Sequence, residues 1–345
     1  MDNICLLLGA GVSNEQNLPN WMDLVKDVIS YYDIKLSVDK NNLIETIGVV
    51  EDDILKTLQE QLLDIPNTDA NEHGWARQKM ALATRMCLKK RLSNFAFTDV
   101  NNNMKLMRSI AEAVYERAKR ELITTIVTYN FDDYFEFAYK CILVENKQLS
   151  EYEKHLKSYT IGMQEQHLPA GSREKLVNVY HVHGYIPVFD ELYGFNFCDK
   201  TAEEYKCERV CSYQEHIGHG VIFSGNDYNS LLDDSIVGWT NMIQYVCYSQ
   251  LPLSVVGFSL TDANFRTLLR RMRKSNFTTK DIMVFLGYGN DEEKELADAT
   301  SHTSDYLFKE ICHNKPDYTI KEFGDALSNS VYEHLKKYLN DEDKW

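Results

Sequence analysis

Apolar residues occur along this chain in short unbroken runs, separated by longer stretches in which they recur every third or fourth position. The first run, Ile4-Cys5-Leu6-Leu7-Leu8, is closed by Gly9-Ala10-Gly11-Val12-Ser13. A run of this length bounded by glycines predicts a strand buried on both faces. The helical spacing from Trp21 to Tyr32 predicts a helix after the turn. A long helical region then extends to about Arg120. Its apolar positions are Ile54, Leu55, Leu58 and Leu62; Met80, Leu82, Met86 and Leu88; and Met104, Met107, Ile110 and Val114. Pro66 and the polar run Thr98–Asn103 are expected to break it.

The β-branched run Leu122–Thr128 predicts the second strand, followed by a helix from Tyr134 to about Val144. Further strands are expected at Leu176–Tyr180, Gly220–Ser224, Leu253–Val256 and Ile282–Leu286. Helices are expected near Asn226–Tyr248 and from Ala263 to Lys274. The last ~55 residues read as peripheral helices, Tyr306–Cys312 and Phe323–Tyr338. Strands alternating with helices predict an α/β fold. It is a Rossmann-like, doubly wound parallel sheet with a helical insertion and a helical C-terminal tail.

Charge narrows the choice of partners. The chain of 345 residues carries 37 basic and 52 acidic side chains, a net charge of -15. Such a surface disfavours nonspecific binding to nucleic acid or to an anionic membrane. Arg270, Arg271, Arg273 and Lys274 form the densest basic cluster and read as a solvated helix end. The eight cysteines are scattered, several within apolar runs. Reduced thiols in a cytoplasmic protein account for them better than disulfides. No signal peptide or membrane-spanning run is expected. Cys207, Cys211, His216 and His219 are the nearest thing to a metal set. Their spacing fits no common zinc module, so no metal is expected.

Candidate chemistry sits where strands end. Glycines in a strand-to-helix turn let a diphosphate approach the backbone. Here the third glycine of the dinucleotide fingerprint is absent, and Asn14 stands in its place. The turn alone is compatible with a hydride-transferring dehydrogenase or with an ordinary loop. Tyr129-Asn130-Phe131-Asp132 follows the second strand, where open α/β sheets bind ligands. His181-Val182-His183-Gly184 follows the third, and Gly257-Phe258-Ser259-Leu260-Thr261-Asp262 a later one. Each also has a plain structural reading. Asn130, Asp132 or Asp262 can cap the following helix, and His183 can be a loop histidine. His181 and His183 alternate along an extended chain, so they do not easily share one metal. There is no P-loop, no His-Glu-x-x-His and no Gly-x-Ser-x-Gly.

In this order the four motifs resemble the sirtuin-like family, most closely its bacterial anti-phage branch. The resemblance covers residues 1–34 and 118–290, which it identifies as an NAD-binding catalytic domain. Residues 35–117 then form a helical insertion and 291–345 a C-terminal helical extension. It implies NAD as substrate, with Gly9, Ala10, Gly11 and Ser13 on the diphosphate. Gly257, Ser259 and Asp262 are implied at the adenosine half. Asn130 would orient the ribose and a water, His183 would act as general base, and Asp132 would stabilise developing positive charge. Sirtuin deacetylases carry a zinc ribbon of two Cys-x-x-Cys pairs. This chain has no Cys-x-x-Cys, which favours hydrolysis of NAD to nicotinamide and ADP-ribose. An NAD-dependent protein deacylase and a catalytically silent NAD-binding subunit are the alternatives. The resemblance further implies a role in antiviral defence by NAD depletion. Control would come from homo-oligomerisation or from a partner such as a HerA-type ATPase, with the insertion and the tail as contact surfaces.

Overall fold

Ile4–Leu8 forms β1, and all five of its residues are buried. A strand covered on both faces must be apolar at every position, because successive side chains point opposite ways. The structure is a computed structural model. It describes residues 3–35, 60–61, 72–160, 175–194, 221–223, 239–258, 262, 265, 267–268, 271, 282–287 and 318–323. Two 3-10 turns, Ala10–Val12 and Asn14–Gln16, lead from β1 to helix α1, Trp21–Tyr31. Asn20 caps α1 by accepting the Asp23 N–H at 2.9 Å, as short polar side chains do at this position. Leu24, Val25, Val28 and Ile29 turn one face of α1 into the core.

Between β1 and the next strand lie α2 (Glu72–Leu92), α3 (Phe97–Asn103) and α4 (Lys105–Lys119). The polar run expected to interrupt the helical region is thus itself the helix α3. Asp99 accepts the Ala96 N–H at 3.0 Å, and buried Val100 gives the turn its contact with the core. Strand β2, Thr124–Thr128, is followed by α5, Tyr134–Glu145. Next come the short helix α6 (Tyr152–His155), β3 (Leu156–Thr160), β4 (Val177–His181) and α7 (Val188–Tyr193). Helix α8, Trp239–Gln250, precedes β5 (Leu253–Val256), β6 (Ile282–Gly287) and β7 (Tyr318–Phe323).

The seven strands form one sheet in the order β3-β4-β2-β1-β5-β6-β7, and every pair is parallel. Strand β1 lies between β2 (Leu6 opposite Ile126) and β5 (Leu6 opposite Ser254). Side-chain alternation divides the core into two clusters. Ile4, Leu6, Leu8, Ile126, Val177 and Val179 pack with residues of α1, α2, α4 and α5. Cys5, Leu7, Val127, Tyr180, Leu253 and Val255 pack with Ile243, Cys247 and Tyr248 of α8. The fold is a Rossmann-like α/β parallel sheet.

Several sequence expectations change. Strands β3 and β7 were not anticipated. β3 (Leu-Lys-Ser-Tyr-Thr) is only partly buried and lacks the apolar run that marks a central strand. β7 pairs outside β6, so the tail, read as helical, also supplies a strand. The expected helix Tyr306–Cys312 and residues 324–338 of the other lie outside the described residues. Of the strand expected at Gly220–Ser224, residues 221–223 are described and stand outside the sheet. Ile222 instead gives its N–H to the His183 carbonyl at 2.8 Å. Among the described residues, no helix is long and apolar enough to cross a membrane. Cys5, Cys87, Cys141 and Cys247 are free, buried thiols.

Candidate functional site

After β1 the chain turns toward α1, and after β5 it leaves on the other side of the sheet. The crevice between two such neighbours, at their carboxyl ends, is where open α/β sheets place ligands. The two loops touch here. The Gly9 N–H donates to the Val256 carbonyl at 3.1 Å and the Gly11 N–H to the Gly257 carbonyl at 2.8 Å. A Cβ on Gly9 would stand 2.6 Å from the Gly257 oxygen, and one on Gly257 2.6 Å from the Val12 nitrogen. Gly257 also has φ +62°, a conformation that only glycine adopts at little cost.

The loop's own bonds occupy most of its amides. Val12 N–H reaches the Gly9 carbonyl at 3.1 Å and Ser13 N–H that of Ala10 at 3.0 Å. These bonds do not use the amide of Ala10, which heads the turn and is half-buried. The expectation of a row of amides facing a diphosphate therefore narrows, among these residues, to Ala10.

Besides the Gly257 loop, the Asn130–Asp132 motif meets this turn. Asn130 donates from Nδ2 to the Gly9 carbonyl at 3.1 Å and to Ser13 Oγ at 3.1 Å. A carbonyl can only accept, so the Gly9 contact orients the amide. Both amide hydrogens are then used, and Oδ1 is the side-chain atom left to accept a hydrogen bond from a ligand. Ser13 Oγ donates in turn to Asp132, 3.5 Å from Oδ1 and 3.3 Å from Oδ2. Asp132 Oδ1 also accepts the Tyr134 N–H at 3.1 Å, the first amide of α5, although the N-cap position itself is Asp133. Burial lifts the Asp132 carboxyl to about 6, against the lowering effects of the Tyr134 amide and the His181 charge; Glu136 adds to the rise.

His183 lies in a different part of the site. It is buried, and its ring stands edge-on to Tyr129 with centroids 4.4 Å apart. Tyr129 packs in turn on Phe258 of the β5 loop, at 4.8 Å. Burial lowers the His183 pKa, and the nearby Asp262 charge opposes that shift. The imidazole is therefore neutral at pH 7. Asp262 accepts the Phe265 N–H at 2.8 Å and so caps the helix that follows. Tyr129 is anchored from behind, its hydroxyl donating to Gln244 Oε1 of α8. Ser259 lies outside the described residues.

Sequence reasoning passed over several side chains that hold this arrangement. Thr128 Oγ1 accepts the Asn130 N–H at 3.1 Å. His181 Nδ1 lies 3.2 Å from the Asn130 carbonyl, and its Nε2 lies 2.8 Å from Glu136 Oε1. Ser158 Oγ donates to the same Glu136 oxygen at 2.6 Å. Burial pushes Glu136 up, but the His181 charge and hydrogen bond together with Ser158 outweigh it, leaving the carboxyl lowered. The signal was a lone glutamate inside the apolar run Tyr134-Phe135-Glu136-Phe137-Ala138. Glu15 was also missed. Its carboxylate accepts the Leu106 and Met107 N–H groups at 2.8 and 2.9 Å and the Tyr134 hydroxyl at 2.7 Å. It thereby ties the turn after Ser13 to the start of α4.

Among the described residues no group of three or more His, Cys, Asp or Glu is placed to hold a metal. Cys207, Cys211, His216 and His219 lie outside those residues. Residues 124–306, just over half of the chain, match the family of SIR2-like domains. The match begins at β2, and the structure sets the earlier Gly9–Ser13 turn directly against it. No curated protein matches the chain.

Proposed function

The chain belongs to the family of SIR2-like domains, NAD-dependent enzymes, and on that premise we propose that it hydrolyses NAD to nicotinamide and ADP-ribose. The observation that carries the proposal is the run of bonds from Asn130 through Ser13 to Asp132, beside a histidine kept neutral by burial.

The donor set suits the ribose end of NAD. Cleaving the nicotinamide–ribose bond develops positive charge on the sugar, as in other glycosidic cleavages. Nicotinamide leaves as a neutral molecule, so no strong acid is required. Asn130 Oδ1 accepts a hydrogen bond from a ribose hydroxyl or from the attacking water. The Asp132 carboxylate opposes the charge that develops. Neutral His183 takes the proton that the water loses. With NAD bound, Gly9, Ala10, Gly11 and Ser13 would lie along the diphosphate, the Ala10 amide facing it, and the resemblance assigns Gly257, Ser259 and Asp262 to the adenosine half.

The test is NAD consumption by the full chain beside Asn130→Ala and His183→Ala. Each substitution is expected to lower turnover by about 10²- to 10⁴-fold, the range of a lost positioning or acid–base group. Wild-type rates in both variants would overturn the site. The resemblance of the four motifs to the anti-phage branch extends the proposal to defence by NAD depletion. Self-assembly or a HerA-type ATPase would then control the enzyme. A rate per chain that does not change with protein concentration or with added partner would speak against that control.

A further inference from the structure

Asn130 is held by its backbone as firmly as by its side chain. Its N–H donates to Thr128 Oγ1, and its carbonyl lies 3.2 Å from His181 Nδ1. His181 is the last residue of β4 and pairs with Thr128, the last of β2. The Asn130 loop therefore starts level with the histidine. On the far side of the ring, Nε2 meets Glu136 Oε1 at 2.8 Å. Glu136 is fixed by Ser158 of β3, and His181 and Glu136 are both 1% exposed.

These partners fix the ring. The Asn130 carbonyl can only accept, so Nδ1 carries a hydrogen. Glu136 Oε1 holds the opposite edge at 2.8 Å, so the ring cannot turn away and its Nδ1–H grips the carbonyl of the residue whose side chain enters the site.

We propose that His181, held in place by Glu136, is a positioning residue for Asn130: its Nδ1–H fixes the Asn130 peptide, so that Oδ1 faces the site. This rests on the reading of Asn130 as the ribose- and water-orienting group. The groups facing His181 are Glu136 of α5, the Asn130 carbonyl and the Tyr185 ring, 4.3 Å away.

The test compares His181→Leu, which removes both ring nitrogens, with His181→Asn, which keeps a neutral donor near Nδ1. His181→Leu is expected to lower kcat by about 10- to 100-fold through misplacement of Asn130, with KM little changed. His181→Asn is expected to recover most of that loss. Glu136→Gln, which loosens the far edge of the ring, serves if His181→Leu does not fold, and is expected to lower kcat in the same way with KM little changed. A full rate in His181→Leu, or equal losses in His181→Leu and His181→Asn, would overturn the proposal. An independent arm reads the ring directly, from the imidazole ¹⁵N shifts of the full chain at pH 7, with His181→Asn assigning the signal. A hydrogen on Nδ1 supports the proposal and a bare Nδ1 overturns it. Absence of NAD turnover in the wild-type chain would sink the activity reading alone, with the ring's protonation still decided by this arm.

Discussion

Asp132 and His183 sit in one site with pKa values moved in opposite directions by the same cause. Burial disfavours charge, so it raises the carboxyl and lowers the imidazole. Asp132 is in its ionised working form above about pH 6, and His183 is in its neutral one at pH 7. NAD hydrolysis is therefore expected to fall below about pH 6, where Asp132 takes up a proton. Initial rates between pH 5 and 8 measure this, and a flat profile across that range would refute it. The same shift has a sign for stability. A carboxyl whose folded pKa lies above its unfolded value favours folding below the unfolded value. That contribution is lost as pH rises through about 6. The residue is half-buried, although its carboxyl group is enclosed. Asp132→Asn is thus expected to lower turnover yet to stabilise the fold at pH 7, by the order of 1 to 3 kcal/mol. Denaturant titration of the two proteins at pH 5 and pH 7 reads it, with the larger gain at the higher pH.

The elements that carry the site are held by contacts with little room for change. The β1 and β5 loops cross so closely that Gly257 fills the Cβ positions of Gly9 and Gly11, and Val12 with Gly11 fills that of Gly257. Gly257→Ala adds a methyl group 2.6 Å from the Val12 nitrogen to a residue at φ +62°. It is expected to cost about 2 kcal/mol or more and to weaken NAD binding, because the Gly9 carbonyl that anchors Asn130 moves with the loop. Equilibrium unfolding and calorimetric titration with NAD together test this, and a variant unaltered in both would contradict it. On the other side of the turn, Glu15 caps α4 and Gln16 donates to the Val100 carbonyl and the Tyr134 hydroxyl at 3.0 and 2.9 Å. Helices α3 and α4, which come between the first two strands, are thus joined directly to the residues next to Ser13.

Across the whole molecule, the proposed ligand would touch loops from both halves of the sheet, the β2 and β4 side and the β5 side. A ligand bound only by the folded state stabilises it by about 2.7 kcal/mol at a hundred times its dissociation constant. ADP-ribose at that excess is expected to raise the melting temperature of the full chain, with Asn130→Ala showing a smaller rise. Equal rises in both, or none in the wild type, would count against the proposed binding mode. The charge on the molecule, -15, adds to the work of bringing in an anionic dinucleotide. Binding is therefore expected to tighten as salt screens that repulsion.

What the sequence determined by itself was the parallel sheet and the family. Both follow from short-range information. Runs such as Ile4–Leu8 and Thr124–Thr128 are apolar or β-branched because both faces of the strand are covered. The four motifs stand in order because each follows a strand. Edge strands β3 and β7 carry a weaker pattern, since partial burial does not force every residue to be apolar. Helix α3 was hidden in a polar run for the same reason, with Val100 as its buried anchor. Tertiary structure alone decided which side chains meet. Asn130 and Ser13 are 117 positions apart, and His181 and Glu136 are 45 apart. Whether a histidine is a metal ligand, a base or a clamp depends on the atoms facing its two nitrogens, and those come from other strands and helices. Spacing suggested only that His181 and His183 diverge. The fold set one against Glu136 and the Asn130 carbonyl and the other against Tyr129, because β4 ends between them.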